Sequence, residues 1–244
     1  MSDVKSFLDE LKELNGKELI NVFVPSINKI IPFKPFSVKQ QRDIIKTLLG
    51  SVESSISISN VFNNIIKENS TQVVDFKYYD RNKILLDMRK QSVGDNITIE
   101  KEVYSLNTLP TYTFKPKETA TFEYNGITVT VSIPTLEEDT KITDKSITEI
   151  SKLTADDKKT GHTISLLLVY ELMKFVHTIQ IDNNIIVLHE LGTFDRKNII
   201  ENLPLKLNNI ILDFISSYKE SEQELFTFSN GTKLNIDASF ITSE

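Results

Sequence analysis

The chain has 244 residues, 39% of them apolar and 25% charged, enough to bury a real core in one large domain or two small ones. Its net charge of −6, with Arg42, Arg81, Arg89 and Arg196 as the only arginines, argues against nucleic acid, which favours basic faces and the arginine fork. The absence of cysteine excludes disulfides, thiol catalysis and cysteine-ligated zinc.

Residues 2 to 15 space Val4, Phe7, Leu8, Leu11 and Leu14 three and four apart, which predicts an amphipathic helix capped by Ser2 and stopped by Gly16. So short a helix is marginal alone and is expected to dock, on its own domain first or else on another chain. Residues 19 to 24 and 29 to 33 read as strands joined by a turn at Ser26-Ile27-Asn28. Pro35 breaks the chain, and Ser37 with Gln40 makes a capping box. The helix it opens carries Val38, Ile44, Ile45, Leu48 and Leu49 and ends at Gly50. Further helices are expected over 57 to 67 and 80 to 91, the latter terminated by Gly94.

From Asp95 the pattern alternates, over Asn96 to Tyr104 and again over Thr119 to Ile133, with Asn125-Gly126 as a hairpin signal. Residues 135 to 161 include Glu137-Glu138-Asp139 and Asp156-Asp157. They read as polar loop with at most one short helix and with solvated carboxylates. A buried helix over 162 to 176 follows, then a hairpin over 178 to 188 and helices near 193 to 202 and 204 to 218. A last hairpin over 225 to 236 turns at Asn230-Gly231.

The fold class expected from these elements is α+β: helices with short antiparallel β-hairpins and no parallel doubly wound sheet. Along the chain this gives an amphipathic helix over 1–18, a helical unit with a β-hairpin insert over 19–134, a polar loop over 135–161 and a helical and hairpin part over 162–244. The last three are compatible with one continuous domain.

No catalytic constellation emerges. His189-Glu190-Leu191-Gly192-Thr193 begins like a zinc protease helix, but the second histidine is replaced by Thr193. His177 and His189 flank a hairpin: a three-residue turn sets them opposite each other, and an Asn183-Asn184 turn pairs His177 with Glu190 instead. Only three histidines exist and no third ligand stands out, so no metal is expected. There is no G-x-S-x-G elbow, and the seven glycines form no phosphate loop. The expectation is a non-enzyme without cofactor. Ile164 to Val176, interrupted by Ser165, Glu171 and Lys174, is too short and polar to span a bilayer, and Met1 to Lys5 lacks signal-peptide features. The expected location is cytoplasmic. Aromatic rings beside proline, in Phe33-Lys34-Pro35-Phe36 and Phe114-Lys115-Pro116, sit in turns that rarely bury two rings at once and suit partner contact.

Two phrases carry a resemblance. The first is Val24-Pro25-Ser26 followed by Lys34-Pro35-Phe36 through Gln40-Gln41; the second is Tyr79-Asp80-Arg81 leading to Arg89-Lys90-Gln91-Ser92-Val93-Gly94. Together they resemble the baseplate hub protein family of T4-like contractile-tailed bacteriophages, closely over 20 to 95 and in layout over 160 to 236. The resemblance implies a non-enzymatic tail protein, either a hub component or a hub-assembly chaperone. Its expected partners are other hub or tape-measure proteins, met in the host cytoplasm during assembly, with a place in the virion baseplate if it stays. On that reading Phe33, Pro35, Phe36 and Arg89 contact the partner, together with the exposed part of the helix over 2 to 15. The alternatives from other classes are a small hydrolase with a site invisible in sequence and a host regulatory binding module.

Overall fold

Strand β1 (Ile20–Val24) and strand β2 (Lys29–Phe33) form an antiparallel ribbon whose alternate residues Ile20, Val22, Val24, Ile31 and Phe33 point inward. A single 3-10 turn over Pro25–Ile27 joins them, and Asn28 takes the left-handed conformation that asparagine tolerates. In this computed structural model the described residues are 18–49, 52–154 and 161–237, with residues 6, 7, 156, 240 and 241. Apart from Ser6 and Phe7, the helix expected over 2 to 15 lies outside the described residues.

Helix α1 (Val38–Leu48) opens on the expected capping box: the Ser37 hydroxyl accepts from the Gln40 main chain, and the Gln40 side chain accepts from the Ser37 N–H. Helix α2 (Val52–Asn69) runs longer than expected at both ends. Helix α3 (Asp80–Ser92) buries Ile84, Leu85 and Met88, and Gly94 closes it at φ +133° with its N–H on the Arg89 carbonyl.

The stretch expected as one strand over 96 to 104 is two, β3 (Asn96–Ile99) and β4 (Glu102–Ser105). Glu100 and Lys101 both take positive φ between them, a turn unmarked by glycine or asparagine. Strands β5 (Thr119–Tyr124) and β6 (Ile127–Ser132) meet at Asn125-Gly126 as expected. Helices α4 (Leu136–Ser151) and α5 (His162–Phe175) intervene before β7 (Val176–Ile181) and β8 (Asn184–Val187) complete a four-stranded antiparallel sheet in the order β5-β6-β7-β8. Helices α6 (Thr193–Glu201) and α7 (Leu205–Glu224) follow.

Two expectations are corrected. Residues 136–151, expected as loop with at most one short helix, form α4, sixteen residues long, capped by the Thr135 hydroxyl on the Glu138 N–H, with three acids in its first turn where the helix dipole favours them. The last hairpin reduces to one bridge, Thr227 to Lys233, around the turn at Asn230-Gly231. Its residues Phe226, Phe228 and Leu234 are spent instead as core.

The architecture is therefore mixed α+β with antiparallel sheets. One apolar cluster joins the β1–β2 ribbon, α1, α2 and α3 to the C-terminal Phe226, Phe228, Leu234, Phe240 and Ile241. The other lies between the four-stranded sheet and helices α4 to α7. Aromatic rings bridge the two: Tyr112 lies 6.0 Å from Phe226 and 6.3 Å from Phe114, which lies 5.5 Å from Tyr218. Replacing Ser37 by Ala removes one hydrogen bond of the capping box and is expected to lower stability by about 1 kcal/mol in urea denaturation. Val38→Ala, at a site 83% exposed, is expected to change it by less than about 0.5 kcal/mol.

Candidate functional site

The residues expected to touch a partner divide into inside and outside. Phe33 is fully buried and packs 5.8 Å from Phe76. Arg89 is also fully buried, its Nε donating to the Phe240 carbonyl at 2.5 Å and its Nη1 to the Gly94 carbonyl. Burial pushes that guanidinium below its ordinary value, with Asp95 opposing. Neither side chain reaches the surface, because each closes the first core. Pro35 and Phe36 are half-buried. Their turn is held from two helices: Asn69 of α2 accepts the Lys34 N–H at 2.8 Å and donates to the Pro35 carbonyl, and Ser92 of α3 accepts the Phe36 N–H at 3.0 Å.

Beyond that fixed turn, α1 carries two apolar faces. Ile44 and the Gln40 side chain face inward, Gln40 bonding Asn69 at 2.7 Å. Val38, Ile45 and Leu49, spaced seven and four apart, share an outer face and are 83%, 39% and 83% exposed. Lys39, Arg42 and Lys46 run exposed along one side of this stripe. An apolar stripe left exposed by the described residues is a candidate contact surface.

A buried polar junction sets the frame behind it. Four consecutive residues at the start of α3 each reach a different segment. The Tyr79 hydroxyl donates to Glu118 at 2.9 Å. Asp80 accepts the Ser26 N–H and hydroxyl at 2.9 and 2.6 Å, and the Lys77 N–H at 2.7 Å. Arg81 meets Asp139 of α4 at 3.0 Å while lying 4.4 Å over the Tyr78 ring. Asn82 donates to Glu222 of α7 at 3.1 Å.

The acidic run read as solvated is thus split by depth. Glu137 is exposed, Glu138 pairs with buried Arg196 at 2.5 Å, and Asp139 is fully buried. Asp139 takes Lys174 of α5 at 2.7 Å and the Asn63 amide of α2 at 2.9 Å besides Arg81. Burial pushes its carboxyl up, yet Arg81 and Lys174 hold it below the ordinary carboxylate value. For Glu222 burial wins over Arg81 and the Asn82 bond, and its carboxyl is pushed up to about 7.

A family model described as T4 bacteriophage base plate protein matches residues 18–225. The chain belongs to that family. No curated protein and no solved structure matches it. The two phrases that carried the resemblance meet in space in this baseplate protein: Ser26 with Asp80, and Phe36 with Ser92. Their residues are joints of the scaffold, and the exposed α1 face lies beside them.

Two of the histidines meet at the β7–β8 hairpin. The β7–β8 turn is Asp182-Asn183, so His177 falls opposite Leu188, neither of the two registers expected. The rings of His177 and His189 nonetheless stack at 4.7 Å and 15°. Burial, then His189 and Lys77, lower the His177 value against the pull of Glu190. Among the described residues no three His, Cys, Asp or Glu side chains gather as a metal site, and no helix is long and apolar enough to cross a membrane.

Sequence reasoning missed Asp139, Asn63 and Glu222. Thr135 with Glu138 three residues on was a legible helix-start signal, from which a buried Asp139 on α4 becomes a question. Asp139→Ala takes the carboxylate from the half-buried Arg81 and leaves Lys174 only Glu171 at 3.5 Å, and is expected to cost about 3–5 kcal/mol in urea denaturation. Glu137→Ala is expected to cost less than about 0.5 kcal/mol.

Glu222 sets a pH dependence of opposite sign to that of Asp139. Its raised value means the folded protein keeps a proton that the unfolded chain releases. Its contribution is full below about 4.5 and is lost as pH rises to about 7. Glu222→Gln is therefore expected to match wild type near pH 4.5 and to exceed it by roughly 2–3 kcal/mol above pH 8. The same unfolding curves at both pH values check it.

Proposed function

We propose that this baseplate protein is a hub component or a hub-assembly chaperone that acts through protein–protein contact and not through catalysis. Family membership over 18–225 supports the tail setting. The observation that carries the contact reading is the α1 stripe of Val38, Ile45 and Leu49, exposed among the described residues and continuous in sequence with the Pro35-Phe36 turn. Phe33 and Arg89 serve that face indirectly: one anchors the end of β2, and the other ties the end of α3 to the C-terminal core. Lys39, Arg42 and Lys46 give the stripe a basic flank, so the fitting partner face carries acidic groups beside apolar ones. Other hub or tape-measure proteins are the proposed partners, met in the host cytoplasm during assembly.

The test is a pull-down of the tagged chain from infected cells, with mass spectrometry of the eluate and of purified virions. Hub or tape-measure proteins in the eluate, with the bait missing from virions, identify an assembly chaperone. The bait in both identifies a hub subunit. An eluate without any tail protein sinks the reading. A Val38→Asp/Leu49→Asp variant is expected to keep its unfolding midpoint and lose at least about tenfold of the recovered partner, since charge at the centre of an apolar contact is left buried and unpaired.

A further inference from the structure

Between α2 and α3 the chain runs beside a groove of about 670 Å³ lined by Asn63, Val74, Phe76, Leu136, Thr140 and Lys141 among others. Isolated β-bridges pin this segment at both ends, Ser70 to Phe33 and Lys77 to Thr135. Between the pins, Val73 is fully exposed, Val74 half-buried, Asp75 exposed and Phe76 buried, which is the alternation of an extended strand. Yet the main-chain groups of Val73, Val74 and Asp75 hydrogen-bond to no described residue. An extended segment with unspent donors and acceptors is an open edge.

A second observation is independent of the first. Asn63, which lines the groove, is only 4% exposed. Its Nδ2 donates to the Leu136 carbonyl at 3.3 Å, to Asp139 at 2.9 Å and to the Thr140 hydroxyl at 3.0 Å, which fixes the direction of the amide. Its Oδ1 is left without a partner. A buried acceptor of this kind is stabilised by an incoming N–H. Around the groove, Lys67 and Lys141 stand against Asp75, Glu137 and Asp144, the last also accepting from the neutral Asn60 amide at 2.7 Å, so the two signs nearly cancel. The wall therefore selects neither a polyanion nor a polycation.

We propose that this groove binds an extended, uncharged segment of a partner protein, added as a strand along residues 73–75. Its alternate side chains are apolar and settle on Val74, Phe76 and Leu136, and one of its main-chain N–H groups serves Asn63 Oδ1. Main-chain pairing supplies the affinity and the alternate pockets supply the selectivity. The site is separate from the α1 face, and its test does not depend on the hub reading because it uses the purified full chain.

The probe is a displayed library of random twelve-residue peptides, panned against the purified full chain; enriched sequences are synthesised and titrated. Apolar residues at every second position are expected. The best peptide should bind Val73→Pro at least tenfold more weakly, because proline removes a main-chain N–H, and Val73→Thr with unchanged affinity. Asp75→Pro repeats the test at the other exposed position should Val73→Pro disturb the fold. Bound peptide should also slow amide exchange at residues 73–75. Failure to enrich any peptide, affinity that neither proline variant changes, or an equal loss on Val73→Thr overturns the proposal.

Discussion

A carboxylate with no exposed surface, Asp139, sits where helices α2, α3, α4 and α5 converge, and the placement of the other elements follows from satisfying it. Removing a charge from water costs several kcal/mol unless its partners arrive in good geometry. Here the partners are Arg81, Lys174 and the Asn63 amide, one from each neighbouring helix. A slip of any helix by one turn would leave a charge unpaired in the interior, so the cluster selects against misregistered packings more than it adds to total stability. The flanking residues extend the constraint. Asp80 fixes the β1–β2 turn through Ser26, and Asn82 fixes α7 through Glu222.

That frame explains why the surface feature lies beside, and not on, the most recognisable residues. Phe33, Arg89, Ser26 and Asp80 are joints, each consumed by a contact inside the chain. The Lys34 to Phe36 turn is clamped by Asn69 and Ser92, which holds the start of α1 in place. A clamped helix presenting Val38, Ile45 and Leu49 outward loses little entropy on binding, a condition for an assembly contact with few residues.

How much was legible depended on whether a signal is local. The Ser37–Gln40 capping box and the Asn125-Gly126 turn are set by atoms within four residues, and both form as read. Helix α4 was missed because its buried face is Leu136, Asp139, Ile142, Thr143, Ser146 and Ile150. The helical spacing is present, but polar side chains occupy half of it, so a hydropathy pattern shows only loop. The rings beside Pro35 and Pro116 misled in the opposite direction. Turns near proline were expected to leave one ring outside, whereas Phe33 found Phe76, and Phe114 found Tyr79, Tyr112 and Tyr218.

The sequence by itself determined most of the helices and hairpins and the α+β class, because periodicity, caps and turn residues act over one or two turns of chain; the resemblance to phage baseplate proteins rested on the two phrases around Val24 to Gln41 and Tyr79 to Gly94. Tertiary structure alone decided which charges are interior, which face of α1 the described residues leave exposed and where the extended segment over 73–75 has no main-chain partner among the described residues. Those outcomes depend on partners 28 to 151 positions away, such as Glu68 for Gln40 or Phe240 for Arg89. No local rule ranks such partners, because burial changes the value of a charge or an amide only after the elements around it have packed.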